Sequence, residues 1–440
     1  MRFERLLTLM ALALAWPLLA NANANADDLL SVYAQARAAD PLLARAHAQR
    51  GSQEEAAAQT RAALLPQWTL GADRNQVNSG SANTHLLSSH INQSVLDVKL
   101  WRSLAAENIL LSAQDARLRA AQQELCALVA NAYFGVLLAQ AGLHTSRANE
   151  VALAEQVKQA QSRFVAGLSA QLDVDQARTY HQLVRGNVFQ AEQALADARQ
   201  ALAEITGSQP GPLSPLALNL PALPPQPQDV QAWVARALSS NPQLKALDLD
   251  LSASERRIEA ARAGHLPTLS LGLDTERRGG SGLHEPLSGR SLSTVGLKLN
   301  IPLFAGGATQ SQVRQAGYRR DAAQSDQEAT RRALIRQTQA QYQAVLSTLA
   351  QMDSSRLAVA AADQALASTK AGQSLGLRNM TDLLLAIQTQ ASAQNAHEQA
   401  RHRYVLAKLL LAQAAGALDE SELAGVNQWL HPTRAERKPS

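Results

Sequence analysis

Cysteine is all but missing from this 440-residue chain: Cys126 stands alone, so no disulfide can form within one chain. Its place far inside the sequence also excludes a lipid-bearing cysteine at the start of a processed chain. Cys126 itself reads as a small apolar residue on a helix. Aromatic residues make up only 4%, poor material for a thick globular core. Long apolar runs are missing too. Beyond the first 26 residues no eighteen consecutive positions are apolar, and even Val405–Leu418 is interrupted by Lys408, Gln413 and Gly416, which argues against a membrane-spanning helix. A formal net charge of +4 is close to balance, so nucleic acid is not an expected partner.

Alanine and glutamine are abundant instead, the composition of long helices that approach one another closely. Residues 1–26 have the form of a secretory signal: Arg2 and Arg5 make a basic start, Leu6 to Ala20 an apolar stretch, and Ala22-Asn23-Ala24-Asn25-Ala26 offers small-residue cleavage sites. The exported chain is expected to start near Asp27.

The remainder says nearly everything twice. Arg61-Ala62-Ala63-Leu64-Leu65-Pro66 with Trp68, Leu70, Gly71 and Asp73 returns as Arg262-Ala263-Gly264-His265-Leu266-Pro267 with Leu269, Leu271, Gly272 and Asp274, shifted by 201 residues. Asp40-Pro41 returns as Asn241-Pro242 at the same shift, and Gly167-Leu168 with Asp173 returns as Gly376-Leu377 with Asp382, shifted by 209. A period this long is not a solenoid repeat. It is one structural unit duplicated and fused, residues 27–206 and 230–418.

Each unit opens with a helix broken at Asp40-Pro41 or Asn241-Pro242 and stopped by Pro66 or Pro267. The period then changes to two. Val295, Leu297, Leu299 and Ile301 alternate with Thr294, Gly296, Lys298 and Asn300; Leu269, Leu271 and Leu273 alternate with Ser270, Gly272 and Asp274; Trp68, Leu70 and Ala72 alternate with Thr69, Gly71 and Asp73; His85 to Leu96 is a weaker fourth run. With Gly, Ser and Asn in segments 79–84 and 280–290, these runs predict one β-hairpin per unit, over 67–97 and 268–303. Strands of about ten residues alternating in this way suit a tilted membrane strand.

A very long helix follows each hairpin, so that long helices fill 102–206 and 308–415. About 64 residues at about 1.5 Å each make the outgoing helix about 95 Å long. Leu104, Leu111, Leu118 and Leu125 recur every seven residues, and Val184, Val188, Ala191, Leu195, Ala198, Leu202 and Ile205 keep a 3/4 spacing on the return, the pattern of a coiled-coil seam. The return helices are shorter by about the length of the opening helix, so the two short helices are expected to stack end to end beside the long one. Residues 207–229 hold a proline-rich linker, and 419–440 a tail that ends polar and basic and is expected to be disordered at its extremity.

Two hairpins give four strands, which cannot close a barrel. In lipid an open sheet edge leaves backbone groups unpaired at several kcal/mol each, and closure needs at least about eight strands. Two copies are therefore the minimum, and three supply twelve. The alternative is a soluble periplasmic coiled-coil adaptor or scaffold, with the hairpins packed as a small sandwich. It leaves the long helices and the export signal without a common purpose.

The duplicated order of hairpin, long helix, glycine turn and return helix, with the junction Ile301-Pro302-Leu303-Phe304-Ala305-Gly306-Gly307 and the turn Arg163-Phe164-Val165-Ala166-Gly167-Leu168, resembles the TolC family of outer-membrane efflux and secretion ducts. The resemblance implies a mainly α fold with membrane β: a homotrimer with a twelve-stranded barrel in outer-membrane lipid and an α-helical cylinder crossing the periplasm. It implies as partners a periplasmic adaptor (membrane fusion) protein and an inner-membrane ABC or RND/MFS transporter. The lack of a lipid-bearing cysteine sets the chain nearer the unlipidated branch. Adaptor docking is expected at the far tips, at Arg163, Phe164, Gly167, Leu168, Gly376 and Leu377. A gate is expected just past the turns, where three copies each of Asp173 and Asp382 would form rings of like charge that concentrate cations and also favour the start of the return helices. Leu172 and Leu385 stand beside them. The family's second acid of the second repeat is Leu385 here, its tyrosine before the second glycine is Gln373, and its threonine in the first repeat is Leu172. Arg378 keeps its place, so a remaining latch would use Arg378, Gln373 and Asp173.

Enzyme patterns fail on geometry. His397 and His402 flank Glu398 like a zinc helix, but five residues apart they lie about 140° around a helix and cannot share a metal. Gly306-Gly307 lacks the Lys-Ser/Thr of a phosphate loop and reads as a bend. No serine or cysteine has a nucleophile motif, and His85 and His90, on opposite faces of a strand, read as polar surface. No cofactor or metal is expected.

Overall fold

The computed structural model describes residues 26–77, 82–281 and 290–430. The expected export signal, apart from Ala26, lies outside the described residues, as do much of the two hairpin turns and the last ten positions of the tail.

The chain runs α1 (Leu29–Ala39), α2 (Pro41–Ala62), β1 (Gln67–Val77), β2 (Ala82–Leu96), α3 (Val98–Val165), α4 (Gln171–Thr206), α5 (Val230–Ser240), α6 (Pro242–Arg262), β3 (Thr268–Ser281), β4 (Arg290–Asn300), α7 (Ala308–Ser374), α8 (Met380–Ala414) and α9 (Glu420–Asn427). One four-residue shift from the expected boundaries has a local cause. The outgoing helix begins at Val98 rather than near 102 because Asp97 accepts from the Leu100 amide at 2.9 Å and caps it early. The 68 residues of α3 make a rod about 100 Å long. α3 is also the one described helix with an eighteen-residue stretch apolar enough to cross a membrane by composition, but 50% of that stretch is buried inside the protein.

The four strands form one antiparallel sheet in the order β1-β2-β3-β4. The two hairpins are therefore joined through β2 and β3, and β1 and β4 are left as edges. Beyond the strands the helices lie side by side as α2, α3, α6 and α7, with α3–α4 and α7–α8 continuing as hairpins away from the sheet.

The stacking of short helices occurs, and two glycines make it. Asp40 ends α1 and starts α2: its amide bonds the Ala36 carbonyl at 2.8 Å while its carboxylate accepts from the Leu43 amide at 2.6 Å. Asn241 serves α5 and α6 in the same way, accepting from Gln243 and Leu244. Return helix α4 stops at Gly207, φ 72°, where an added Cβ would lie 3.3 Å from that of Ala39. Return helix α8 stops at Gly416, φ 70°, where a Cβ would meet the Ser240 carbonyl oxygen at 2.5 Å. Each return helix thus abuts the junction where α1 passes into α2 or α5 into α6; glycine suits the left-handed turn at both, and at Gly416 the approach to backbone leaves no room for a side chain. The outcome is two quasi-continuous helices alongside two continuous ones.

The main core lies at this junction. Tyr133, Phe134, Leu202, Tyr404, Leu409, Leu411 and Leu418 are buried there together with Leu29, Val32 and Ala36. Segment 207–229 crosses between the repeats as a strap held to the core. Asp27 bridges Leu213 and Leu216 bridges Leu430, the Tyr133 hydroxyl donates to the Ser214 carbonyl at 2.9 Å, and buried Arg401 donates to the Ala217 carbonyl while its Nη1 holds Glu398 at 2.6 Å. The polar end of the tail lies outside the described residues, but its beginning is ordered. Its first part is helix α9, started by Asp419 accepting from Ser421 and Glu422, with Leu423 and Val426 buried and Asn427 bonded to both Leu29 and Asp28. Apolar residues spaced at 423, 426 and 430 outweigh the polar composition.

The leucine heptad needs correction as well. Leu125 is buried, but Leu104, Leu111 and Leu118 are only half-buried; in that stretch Ala106, Ala113 and Ala116 are the buried residues of α3. Small side chains let α6 come close, so alanine forms the seam. On α4 the expected positions Val184, Val188, Leu195, Leu202 and Ile205 are buried.

Candidate functional site

The sheet presents two chemically distinct walls. Antiparallel register sets Trp68, Ile91, Leu273 and Val295 in one row, with Leu271 opposite Leu297 and Leu269 opposite Leu299 on the same face. Trp68, Leu70, Val295, Leu297 and Leu299 are all exposed. From the row of Leu70 to Ile301 this band runs about 26 Å along the strands, or about 20 Å along the normal at a tilt of about 40°, close to the apolar height of a membrane barrel. Below it Leu303 and Phe304, each 91% exposed, stand at the bend made by Gly306 and Gly307. They are placed to anchor the interface. The other face carries Thr69, His90, Asp274 and Thr294 in one row, and His90 Nδ1 lies 2.7 Å from Asp274 Oδ1. One wall suits lipid and the other suits water.

At the far end of the rods α3 turns into α4 and α7 into α8. Both turns are built alike: the Leu168 amide bonds the Arg163 carbonyl at 2.8 Å around Gly167, φ 72°, and the Leu377 amide bonds the Gly372 carbonyl at 2.8 Å around Gly376, φ 73°. These six-to-one bonds with a left-handed glycine satisfy the last carbonyls of each helix. The tip core beneath comprises Leu153, Val174, Val184, Leu366, Met380, Leu383, Leu384 and Ile387. Above it Leu168 is 71% and Leu377 76% exposed, with Val165, Phe164 and Leu375 also in solvent. Arg163 lends its carbonyl to the turn and is half-buried.

The expected gate residues lie in the first turn of each return helix. Asn379 caps α8 by accepting from the Asp382 amide at 2.7 Å, whereas Ala170 gives α4 no side-chain cap. The Asp382 carboxylate lies 3.9 Å from Arg378 Nη1, and the Arg378 stem packs where a side chain on Gly372 would fall. Gln373 donates to the Met380 sulfur at 3.6 Å. Within one protomer the structure therefore joins Arg378 to Asp382 and turns Gln373 to its own helix end; among the described residues Asp173 has neither a hydrogen bond nor an ion pair through its side chain. Leu172 and Leu385 are exposed. Sequence reasoning missed Thr381, whose hydroxyl donates to Gln176 at 2.9 Å and ties the second return helix to the first. It also missed the His90–Asp274 pair across β2 and β3, which only the strand register brings together.

No cluster that could hold a metal occurs among the described residues. His397 bonds Ser355 at 3.0 Å, while His402 bonds the Glu398 carbonyl at 2.8 Å beside the Phe134 ring. Burial holds the pKa of both histidines below the ordinary value.

A family model described as outer membrane efflux protein matches residues 32–208 and 233–417. The outer membrane protein TolC of Escherichia coli is 31% identical over 422 residues, covering 92% of this chain and 85% of its own. The alkaline protease secretion protein AprF of Pseudomonas aeruginosa is 28% identical, covering 93% of this chain and 88% of its own. Among solved structures the channel CusC superposes with a TM-score of 0.78 at 20% identity, over 89% of this chain and 92% of that one. Channels of this family are homotrimers and not enzymes, and a trimer turns the two open edges of the four-stranded sheet into a closed twelve-stranded wall. A lipid-facing strand band, a water-facing inner wall, rods of about 100 Å and the family match lead to one conclusion: the chain belongs to the outer membrane efflux protein family, and it is an outer-membrane exit duct reaching into the periplasm.

Proposed function

We propose that this duct is the outer component of a tripartite system, entered at its tips by cargo from an inner-membrane transporter of the ABC or RND/MFS kind and held there by a periplasmic adaptor protein. Residues 1–26 direct its export. AprF's name ties that relative to protease secretion, so type I secretion and small-molecule efflux are the two settings this reading covers. In the trimer Asp173 and Asp382 ring the pore entrance, Leu172 and Leu385 close it when no partner pulls the tips apart, and Arg378 and Gln373 brace the second-repeat turn.

The supporting observation is the tip surface. A glycine turn needs only its left-handed residue, yet Leu168, Leu375 and Leu377 all stand in solvent beside it. Exposed leucines grouped at the end of a rod suit the helical tip of a partner. The test uses cells lacking their own copy of the gene and producing Leu168→Asp or Leu377→Asp. Dye accumulation and the secreted-protein profile should match the null strain, while the unheated protein still migrates as a trimer in outer-membrane fractions. Wild-type export by both variants would refute tip docking.

A further inference from the structure

The strands sort their charges by face. Antiparallel register and the pleat put Asp73, Asp274, Glu276, Arg278 and Lys298 on the water-facing wall, where His90 pairs with Asp274 and Arg278 with Glu276 at 2.8 Å. Among the described strand residues, the ionisable ones that fall on the lipid-facing wall are Arg74, His85 and Arg277, and all are basic. No acid shares their face, and among the described residues neither arginine has an ion pair.

All three are exposed, and all lie at one end of the sheet. Arg74 stands directly opposite His85, and Arg277 is one row nearer the helices, opposite Leu87. The His85 ring leans across β3 into the space that a side chain on Gly279 would fill. That brings it toward Arg277, which lies on the same strand and face as Gly279. Height decides what the cluster meets. The Arg277 row, level with Ser291, is ten residues up β4 from Ile301, and the Arg74 row is two residues farther. At about 3.3 Å per residue and a tilt of about 40°, the rows stand about 25 Å and about 30 Å above Ile301 along the membrane normal. The apolar band of a barrel is about 25 Å tall, so Arg277 reaches its upper rim and Arg74 and His85 the headgroup layer. The helices leave the sheet at the other end, toward the periplasm, which makes this rim that of the outer leaflet.

We propose that Arg74, His85 and Arg277 form a site for a phosphate group of an outer-leaflet glycolipid, one site on each protomer. Two unpaired guanidinium forks match phosphate geometry, and an imidazole N–H adds a third donor. Like charges side by side across strands destabilise a bare sheet; an anion between them turns that repulsion into attachment. The source is a lipid rather than a free ion because the cluster opens directly onto the apolar wall. Below it on the same face Trp68, Leu70 and Leu273 are exposed, a surface for the acyl chains of the same molecule. The site rests on the lipid-facing wall and is independent of any partner at the tips.

The test uses the purified trimer in detergent, native mass spectrometry, and two probes, bisphosphorylated lipid A and fully dephosphorylated lipid A. The unsubstituted trimer should hold the phosphorylated lipid about tenfold more tightly, since the other lacks the charge-assisted hydrogen bonds. Excess inorganic phosphate should not displace it. Arg74→Gln with Arg277→Gln should abolish the preference, whereas Arg278→Gln with Lys298→Gln, the same change of charge on the water-facing wall, should keep it. Equal retention of both lipids by the unsubstituted trimer overturns the proposal whether or not the variants assemble. A preference that survives in an assembled Arg74→Gln, Arg277→Gln trimer overturns it as well, and so does full displacement by inorganic phosphate, which would mark a site for free anions.

Discussion

Replacing Gly416 by alanine separates the role of helix stacking from that of backbone conformation. At φ 70° an alanine pays about 1–2 kcal/mol for the left-handed region. Its Cβ would also lie 2.5 Å from the Ser240 carbonyl oxygen, 2.7 Å from that carbonyl carbon and 2.8 Å from Asn241 Cα. These are backbone atoms at the junction of α5 and α6, and they cannot rotate away. Overpacking of this kind adds about 1–3 kcal/mol, for a total of about 2–5 kcal/mol. Gly376→Ala provides the comparison, since φ is 73° but nothing lies within 4 Å of the new Cβ, leaving only the conformational cost. Gly207→Ala should fall between, because its neighbour is the Ala39 methyl at 3.3 Å. The assay is the urea concentration at which the purified protein loses its helical circular dichroism, read with the temperature at which the trimer dissociates on unheated gels. Resistance should fall in the order Gly376→Ala, Gly207→Ala, Gly416→Ala. Equal losses at 376 and 416 would show that the close approach of α8 to α6 is not what the glycine serves.

Purified trimer in a planar bilayer should conduct weakly, because exposed Leu172 and Leu385 can pack where the tips converge; wide-pore conductance in the unsubstituted protein would contradict a closed resting end. Asp382→Ala should weaken block by trivalent cations more than Asp173→Ala does, measured as the blocking concentration in the same bilayers, and unchanged block would move the cation site elsewhere. Buried His402 folds in its neutral form, its pKa depressed first by burial beside Phe134 and further by the Arg401 charge, which together outweigh the raising effect of its hydrogen bond to the Glu398 carbonyl. The stability this allows is present above about pH 6.5 and is lost as pH falls through the lowered value. His402→Gln should therefore flatten the decline in urea resistance below about pH 6.5, and an unchanged decline would assign it to other groups.

Much of this architecture was legible in local pattern. Alternating residues from Leu269 to Leu273 and from Val295 to Ile301 specify strands with one greasy face, and Asp40 and Asn241 before proline announce helix starts, because capping and periodicity depend on residues a few positions apart. The duplication was legible because two copies of one sequence must build two copies of one form. Other features depend on segments hundreds of residues apart. The sequence offers two stripes along α3, leucine at 104, 111 and 118 and alanine at 106, 113 and 116; which is buried depends on how near α6 comes, and the small side chains prevail because they permit the closer approach. At the tips the sequence marked the glycines and acids, but the Arg378–Asp382 contact and the Thr381–Gln176 tie follow from how the turns fold.

By itself, the sequence determined the repeated unit, the strand faces, the turns and the need for more than one chain, since four strands leave edges that lipid cannot satisfy. Only the tertiary structure decided that residues 207–229 are a strap, that α9 closes on the start of α1, and that α4 and α8 end against the α1–α2 and α5–α6 junctions. Each of these is a contact between distant segments, where burial and close approach, rather than local preference, select the conformation.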